Sequence, residues 1–164
     1  MDSNKYIEPL KNMDLAYLIK RQIALDKKFK EKMGLEKLNP NLIKIAYLDE
    51  VGELIHELKP LWCYWKKNNK EVNKRRVLEE LSDCLHFALS YEINKTKDGG
   101  NIIEYYNTSV APFEKTLRKL PKIKYLMFSI VYLLQHLGYT EEEFLEVHHQ
   151  VWLNNMNIRT GDDY

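Results

Sequence analysis

The chain has 164 residues, with 25 Lys and Arg against 24 Asp and Glu. This length suits one domain over 1–164 with a substantial core, and one active site per chain or per pair of chains is expected. A charge balance so near zero excludes a protein that holds long nucleic acid by phosphate neutralisation, yet leaves room for a small anionic ligand.

The opening MDSNKYIEPL has neither a basic n-region nor an apolar h-region, so no secretory signal is expected. Apolar residues then recur at three- and four-residue intervals, with scarce glycine and spaced prolines, which predicts an all-α chain. A first helix is predicted from about Leu10 to Met33, with Met13, Ala16, Ile23 and Phe29 facing inward and Gly34 as its stop. A second is predicted from NPN, where Asn39 caps and Pro40 suits the first helical position, to a break at Pro60. Cys63 and Cys84 have no CxxC partner, so they are read as buried thiols of a reducing cytoplasm rather than a disulfide or zinc site.

The third predicted helix spans Lys74 to Asn94 and precedes a KDGG turn at residues 97–100; the connection from Asn101 to Leu120, interrupted by Pro112, is read as partly helical. The fourth runs from Ile123 to Leu137, with Gly138 ending it. Its run YLMFSIVYLLQHLG is shorter than the roughly 20 residues that span a bilayer, so it reads as a core helix and no membrane partner is expected. Thr140 and Glu143 in TEEEF have capping-box spacing and open a last helix toward Asn157.

Two acidic pairs stand out. Glu50 and Glu53 are three apart, as are Glu80 and Asp83, a spacing that puts each pair on one helical face. The stripe beside them contains Ile45, Leu54, Leu58, Leu78, Leu81 and Leu85. Burying an unpaired carboxylate costs several kcal/mol, so four beside an apolar stripe imply a compensating cation. Both pairs lie roughly 10 Å from the connection between their helices, so an antiparallel hairpin brings them to one depth. Oxygen donors without convergent cysteines favour Mg²⁺, with Mn²⁺ as a substitute. The connection itself, KKNNKEVNKRR, is read mostly as a solvated charge run, with Lys66 after Trp65 as the exception that suits a polyphosphate.

With these motifs in place, the sequence resembles the dimeric all-α dUTPases, within the all-α nucleoside triphosphate pyrophosphatase superfamily that includes the MazG-type enzymes. The signature is Glu50, Glu53, 26 intervening residues, Glu80 and Asp83. QIALD with Gln22 and Asp26, WCYWK with Trp62, Trp65 and Lys66, and DCLHF with His86 and Phe87 narrow the resemblance toward dUTPases. It implies a helical bundle, a homodimer, Mg²⁺ and hydrolysis of dUTP to dUMP and pyrophosphate. It also implies that Glu50, Glu53, Glu80 and Asp83 are metal ligands, with Glu53 activating water. Gln22, with Asp26 in the same motif, matches the residue that reads the uracil edge. His86 and Phe87 match the deoxyribose and base pocket, and Trp62, Trp65 and Lys66 the positions that close on base and phosphates. In the C-terminal NNMNIRTGDDY, Arg159 and Tyr164 keep the family spacing, which implies a phosphate contact for Arg159 and a substrate-binding place for Tyr164. Asn157 is one position too close to Arg159, and Thr160 stands where Gln is usual.

Three other readings use the same residues. The acidic signature does not choose a base, so a broader MazG-type dNTP pyrophosphatase is the nearest rival. Glu53-x-x-His56 with Asp83-x-x-His86 has the form of a di-iron bundle. A non-catalytic helical module would present the YLMFSIVYLL face to a partner helix.

Overall fold

The computed structural model describes residues 13–67, 70–95 and 112–161, and all regular structure among them is helical. Helix α1 covers Leu15–Met33, α2 Pro40–Glu57, α3 Lys59–Trp62, α4 Lys74–Asn94, α5 Phe113–Lys119, α6 Leu126–Leu137 and α7 Glu141–Asn154. A single 3-10 turn, Ile123–Tyr125, leads into α6, and a π-helical turn, Asn155–Arg159, follows α7. Tyr164, the KDGG turn, residues 10–12 and most of the 101–120 connection lie outside the described residues.

Local chemistry explains most of the boundaries. Asp14 accepts from Tyr17 N at the start of α1, Asn39 from Asn41 N at α2, and Asn73 from Arg76 N at α4. Each satisfies one of the amides that a helix leaves unpaired in its first turn. Thr140 and Glu143 form the reciprocal capping box at α7. Gly34 and Gly138 end α1 and α6 with φ of 64° and 72°, a left-handed conformation that glycine adopts without steric cost. The predicted break at Pro60 is a change of helix: α2 stops at Glu57, Leu58 caps it, and Pro60 sits in the first turn of α3.

The pairing of α2 with α4 is the most extensive in the molecule. Glu57 meets Arg76, Glu50 meets Asp83 and Lys44 lies over Tyr91, so the two helices run antiparallel. Helix α1 lies against α4 in the parallel sense, through Gln22 to His86 and Asp26 to Ser90. The core beneath them is built from Leu54, Leu58, Leu78, Leu81, Leu85 and the whole stretch from Leu126 to Leu134. Tyr47 is fully buried, and its hydroxyl donates to Leu120 O at 2.7 Å, so no polar atom is left stranded there. Cys63 and Cys84 are buried free thiols.

Three expectations change. The buried face of α1 is Leu18, Gln22, Leu25 and Asp26, whereas Ala16 and Ile23 are exposed, Ile23 by 50%. Gln22 and Asp26 bond to each other and to α4, so the polar face turns inward and the helix is rotated from the one that apolar counting selects. Ile45 is 63% exposed and does not belong to the stripe beside the acidic residues. The YLMFSIVYLL face is buried within the chain's own core, which withdraws it as a docking surface for a partner helix.

Candidate active site

Helices α2 and α4 bring carboxylates to a common depth. One oxygen each of Glu50, Glu80 and Asp83 lies within 4.8 Å of the other two. Glu53, one turn beyond Glu50 on α2, is exposed and stands outside this triad. No histidine joins the triad among the described residues; His56 is exposed and His86 Nδ1 is 2.8 Å from Gln22 Oε1. A nitrogen-rich di-iron ligand set is therefore not assembled here.

The triad holds negative charge in poor solvent. Burial, then Asp83, Asp49 and Glu53, pushes Glu50 up to about 7, with Arg159 pulling the other way. Burial lifts Glu80 to about 7 against the pull of Arg76, and Glu50 and Glu53 add to the rise. Asp83 rises to about 6, again through burial first, with Arg159 opposing. Like charges crowded in a low-dielectric cleft disfavour ionisation, and a divalent cation would remove that penalty. Arg76 is the fixed counter-charge: its guanidinium donates to Glu80 Oε1 at 2.5 Å and to Glu79 Oε2 at 3.1 Å, and it faces Glu57 at 3.5 Å. Within the basic run, Arg76 is thus the side chain that reaches a site carboxylate.

A cleft of about 420 Å³ opens beside the triad, with Asp83 on its wall. Gln22, Leu25 and Asp26 line it from α1, His86 and Phe87 from α4, and Asn155 and Arg159 from the C-terminal turn. A polar chain runs along its α1–α4 side. Gln22 Nε2 donates to Asp26 Oδ1 at 2.8 Å, while Ser90 Oγ and Asn94 Nδ2 donate to Asp26 Oδ2 at 2.8 and 2.9 Å. His86 is buried and stacks on His148 with ring centroids 4.3 Å apart. Burial, reinforced by His148, holds His86 well below the usual histidine range, and burial holds His148 down to about 3.

Asn155 was not singled out by sequence reasoning, which weighed Asn157. Asn155 is 6% exposed and lines the cleft, while Asn157 is exposed. Asn155 and Arg159, the first and last residues of the π-helical turn, are four positions apart, about one helical turn, and both reach the same wall. The available signal was spacing: Asn155 stands four positions before Arg159, which puts both on one helical face.

Trp62, Trp65 and Lys66 do not line this cleft. Trp62 is half-buried and its Nε1 donates to Ile55 O at 2.8 Å, so its polar edge ties α3 to α2. Trp65 is 59% exposed and meets Trp62 and Tyr64 edge-on, and Lys66 is exposed.

No helix among the described residues is long and apolar enough to cross a membrane. No curated protein matches the chain at a significant level. The sequence model of the dUTPase family matches residues 14–164, a span that contains the acidic triad, the cleft and the C-terminal turn. The chain belongs to the dUTPase family.

Proposed function

We propose that this chain, a dUTP diphosphatase by its family, works with Mg²⁺ held by Glu50, Glu80 and Asp83. The observation that carries this reading is the convergence of three half-buried or buried carboxylates from two helices, a hard, anionic oxygen set that fits Mg²⁺, or Mn²⁺ in its place. When bound, the metal would supply charge neutralisation for the phosphates and for the leaving pyrophosphate.

The remaining work falls to the protein. Glu53, exposed beside the triad, is the carboxylate that accepts the proton of the attacking water at the α-phosphorus. Arg159, on the cleft wall and within electrostatic reach of Glu50 and Asp83, contacts the phosphate chain. Phe87 walls the cleft beside His86, where its ring crowds the space a 2′-hydroxyl would need. Trp65 and Lys66, exposed on the segment after α3, close over the bound nucleotide.

The active form is a homodimer in the cytoplasm. Leu42, Ile45 and Leu48 form an exposed apolar face on α2 that a second copy would cover.

The test is pyrophosphate release from a panel of nucleotides, with and without Mg²⁺. Turnover of dUTP that vanishes with EDTA and returns with Mg²⁺ is expected; comparable rates on dCTP would replace this reading with a MazG-type enzyme of broad specificity. Glu53→Gln is expected to abolish turnover while leaving the fold intact, and undiminished turnover would remove Glu53 from the proton transfer.

A further inference from the structure

Among the described residues, two buried side-chain atoms lack any hydrogen-bond partner: His86 Nε2 and Asn155 Oδ1. Both residues line the cleft. Buried polar groups are nearly always paired, so two orphans in one cleft mark where a ligand's polar edge belongs.

What that edge must offer depends on whether His86 Nε2 carries a proton. The answer can be traced from residues on the far side of the ring. Asn94 Nδ2 donates to the Ser90 carbonyl at 2.7 Å, and a carbonyl can only accept, so the orientation of the Asn94 amide is fixed. The same nitrogen and Ser90 Oγ donate to Asp26 Oδ2, which makes that oxygen an acceptor. Asp26 Oδ1 accepts from Gln22 Nε2. The Gln22 amide therefore presents its carbonyl oxygen to His86 Nδ1 at 2.8 Å, and Nδ1 must be the donor. A buried ring stacked on a second buried histidine is neutral, so it has one proton, which Nδ1 holds. Nε2 is left with a bare lone pair.

We infer that Asp26 is a positioning residue for base selection: acting through Gln22, it fixes the His86 tautomer whose bare Nε2 accepts a hydrogen bond from a ring N–H of the substrate. Uracil offers such an N–H at N3. Cytosine has a lone pair at N3, which in the same pose faces the Nε2 lone pair and is repelled. Asn155 alone does not discriminate, because a terminal amide can turn to offer either its oxygen or its nitrogen. His86 has no such freedom. Gln22, with both ends of its amide engaged, is a relay between Asp26 and the histidine rather than the group that reads the base.

The inference rests on the cleft being the base site, and the experiment separates the two. Asp26→Asn reverses the chain: Ser90 and Asn94 hold the new amide by its oxygen, its NH₂ faces Gln22, Gln22 turns, and His86 moves its proton to Nε2. Long-range ¹H–¹⁵N correlation spectra of the five histidine rings, recorded without nucleotide, report which nitrogen of His86 is protonated. The expected result is Nδ1–H in the native chain and Nε2–H in the variant, with the ratio of kcat/KM for dUTP over dCTP falling by about tenfold or more. A native ring protonated on Nε2 overturns the relay. An inverted tautomer with an unchanged ratio overturns the assignment of the cleft to the base. Equal losses on both nucleotides with no change of tautomer overturn the role of Asp26, leaving it structural. Should Asp26→Asn fail to fold, the native enzyme still decides: N3-methyl-dUTP, which lacks the N–H, is expected to be a poor substrate, and turnover equal to that of dUTP would refute the acceptor.

Discussion

Helix α4 contributes to two polar clusters about two turns apart, and they are built on opposite plans. The triad of Glu50, Glu80 and Asp83 gathers like charges and leaves them in mutual conflict, with Arg76 and Arg159 as partial relief. The cluster around Asp26 gathers one carboxylate and three donors, Gln22, Ser90 and Asn94, and is satisfied from within. Satisfied buried networks rigidify a fold, whereas conflicting ones cost stability until something binds. One cluster is finished and the other is waiting.

The contrast predicts opposite signs for similar changes. Glu50→Gln is expected to lower dUTP turnover by roughly a thousandfold, the several kcal/mol that a correctly held divalent ion contributes. The same variant, unfolded without metal at pH 8, should melt above the native chain because one repelling charge is gone. A lower melting temperature would show that the triad does not conflict. Ser90→Ala removes a donor from a buried carboxylate and is expected to destabilise by about 2 kcal/mol in denaturant titrations. No loss there would erase the difference between the clusters.

The pH dependence follows from the same conflict. Glu50 and Glu80 sit near 7 and Asp83 near 6, above the ordinary carboxylate range. Their contribution favours the folded chain at low pH and is lost as pH rises through about 7. His86 and His148, held low, act in reverse: their contribution is present above the ordinary histidine range and lost as pH falls below it. These histidine terms cancel when the chain is compared with and without Mg²⁺. A cation must displace the triad's protons, so calorimetric Mg²⁺ affinity should fall by about tenfold or more from pH 8 to pH 5.5. A flat profile would argue against these three ligands. The smallest effect expected is Thr140→Ala, which opens the α7 capping box, a contact that belongs to neither cluster, and costs about 1 kcal/mol with no change in turnover.

What the sequence made legible follows the same division. Caps and stops were readable because each is local: Asn39 before Pro40, Thr140 before Glu143, and the two glycines each act within one turn. The depth match of the acidic pairs was readable too, because an antiparallel hairpin converts residue counts into distance. Two features escaped. The inward face of α1 is half polar, and apolar periodicity cannot detect polar positions whose burial is compensated by partners 64 positions away. Asn155 escaped because the comparison with the family's C-terminal pattern drew attention to Asn157, whose side chain is exposed, while Asn155 is buried on the cleft wall.

The π-helical turn has a consequence for how the chain tolerates change. Lys28 and Lys32 of α1 donate to the carbonyls of Met156 and Arg159, so both parts of the turn are tethered to the helix that also carries Gln22 and Asp26. The offset between Asn155 and Arg159 is fixed by the number of residues between them and hardly at all by their identity. Substitutions at Met156 or Asn157 leave that count untouched, whereas loss of a single residue would tighten the turn and carry one of the two away from the cleft. The C-terminal turn is open to mutation in letters and closed to it in length.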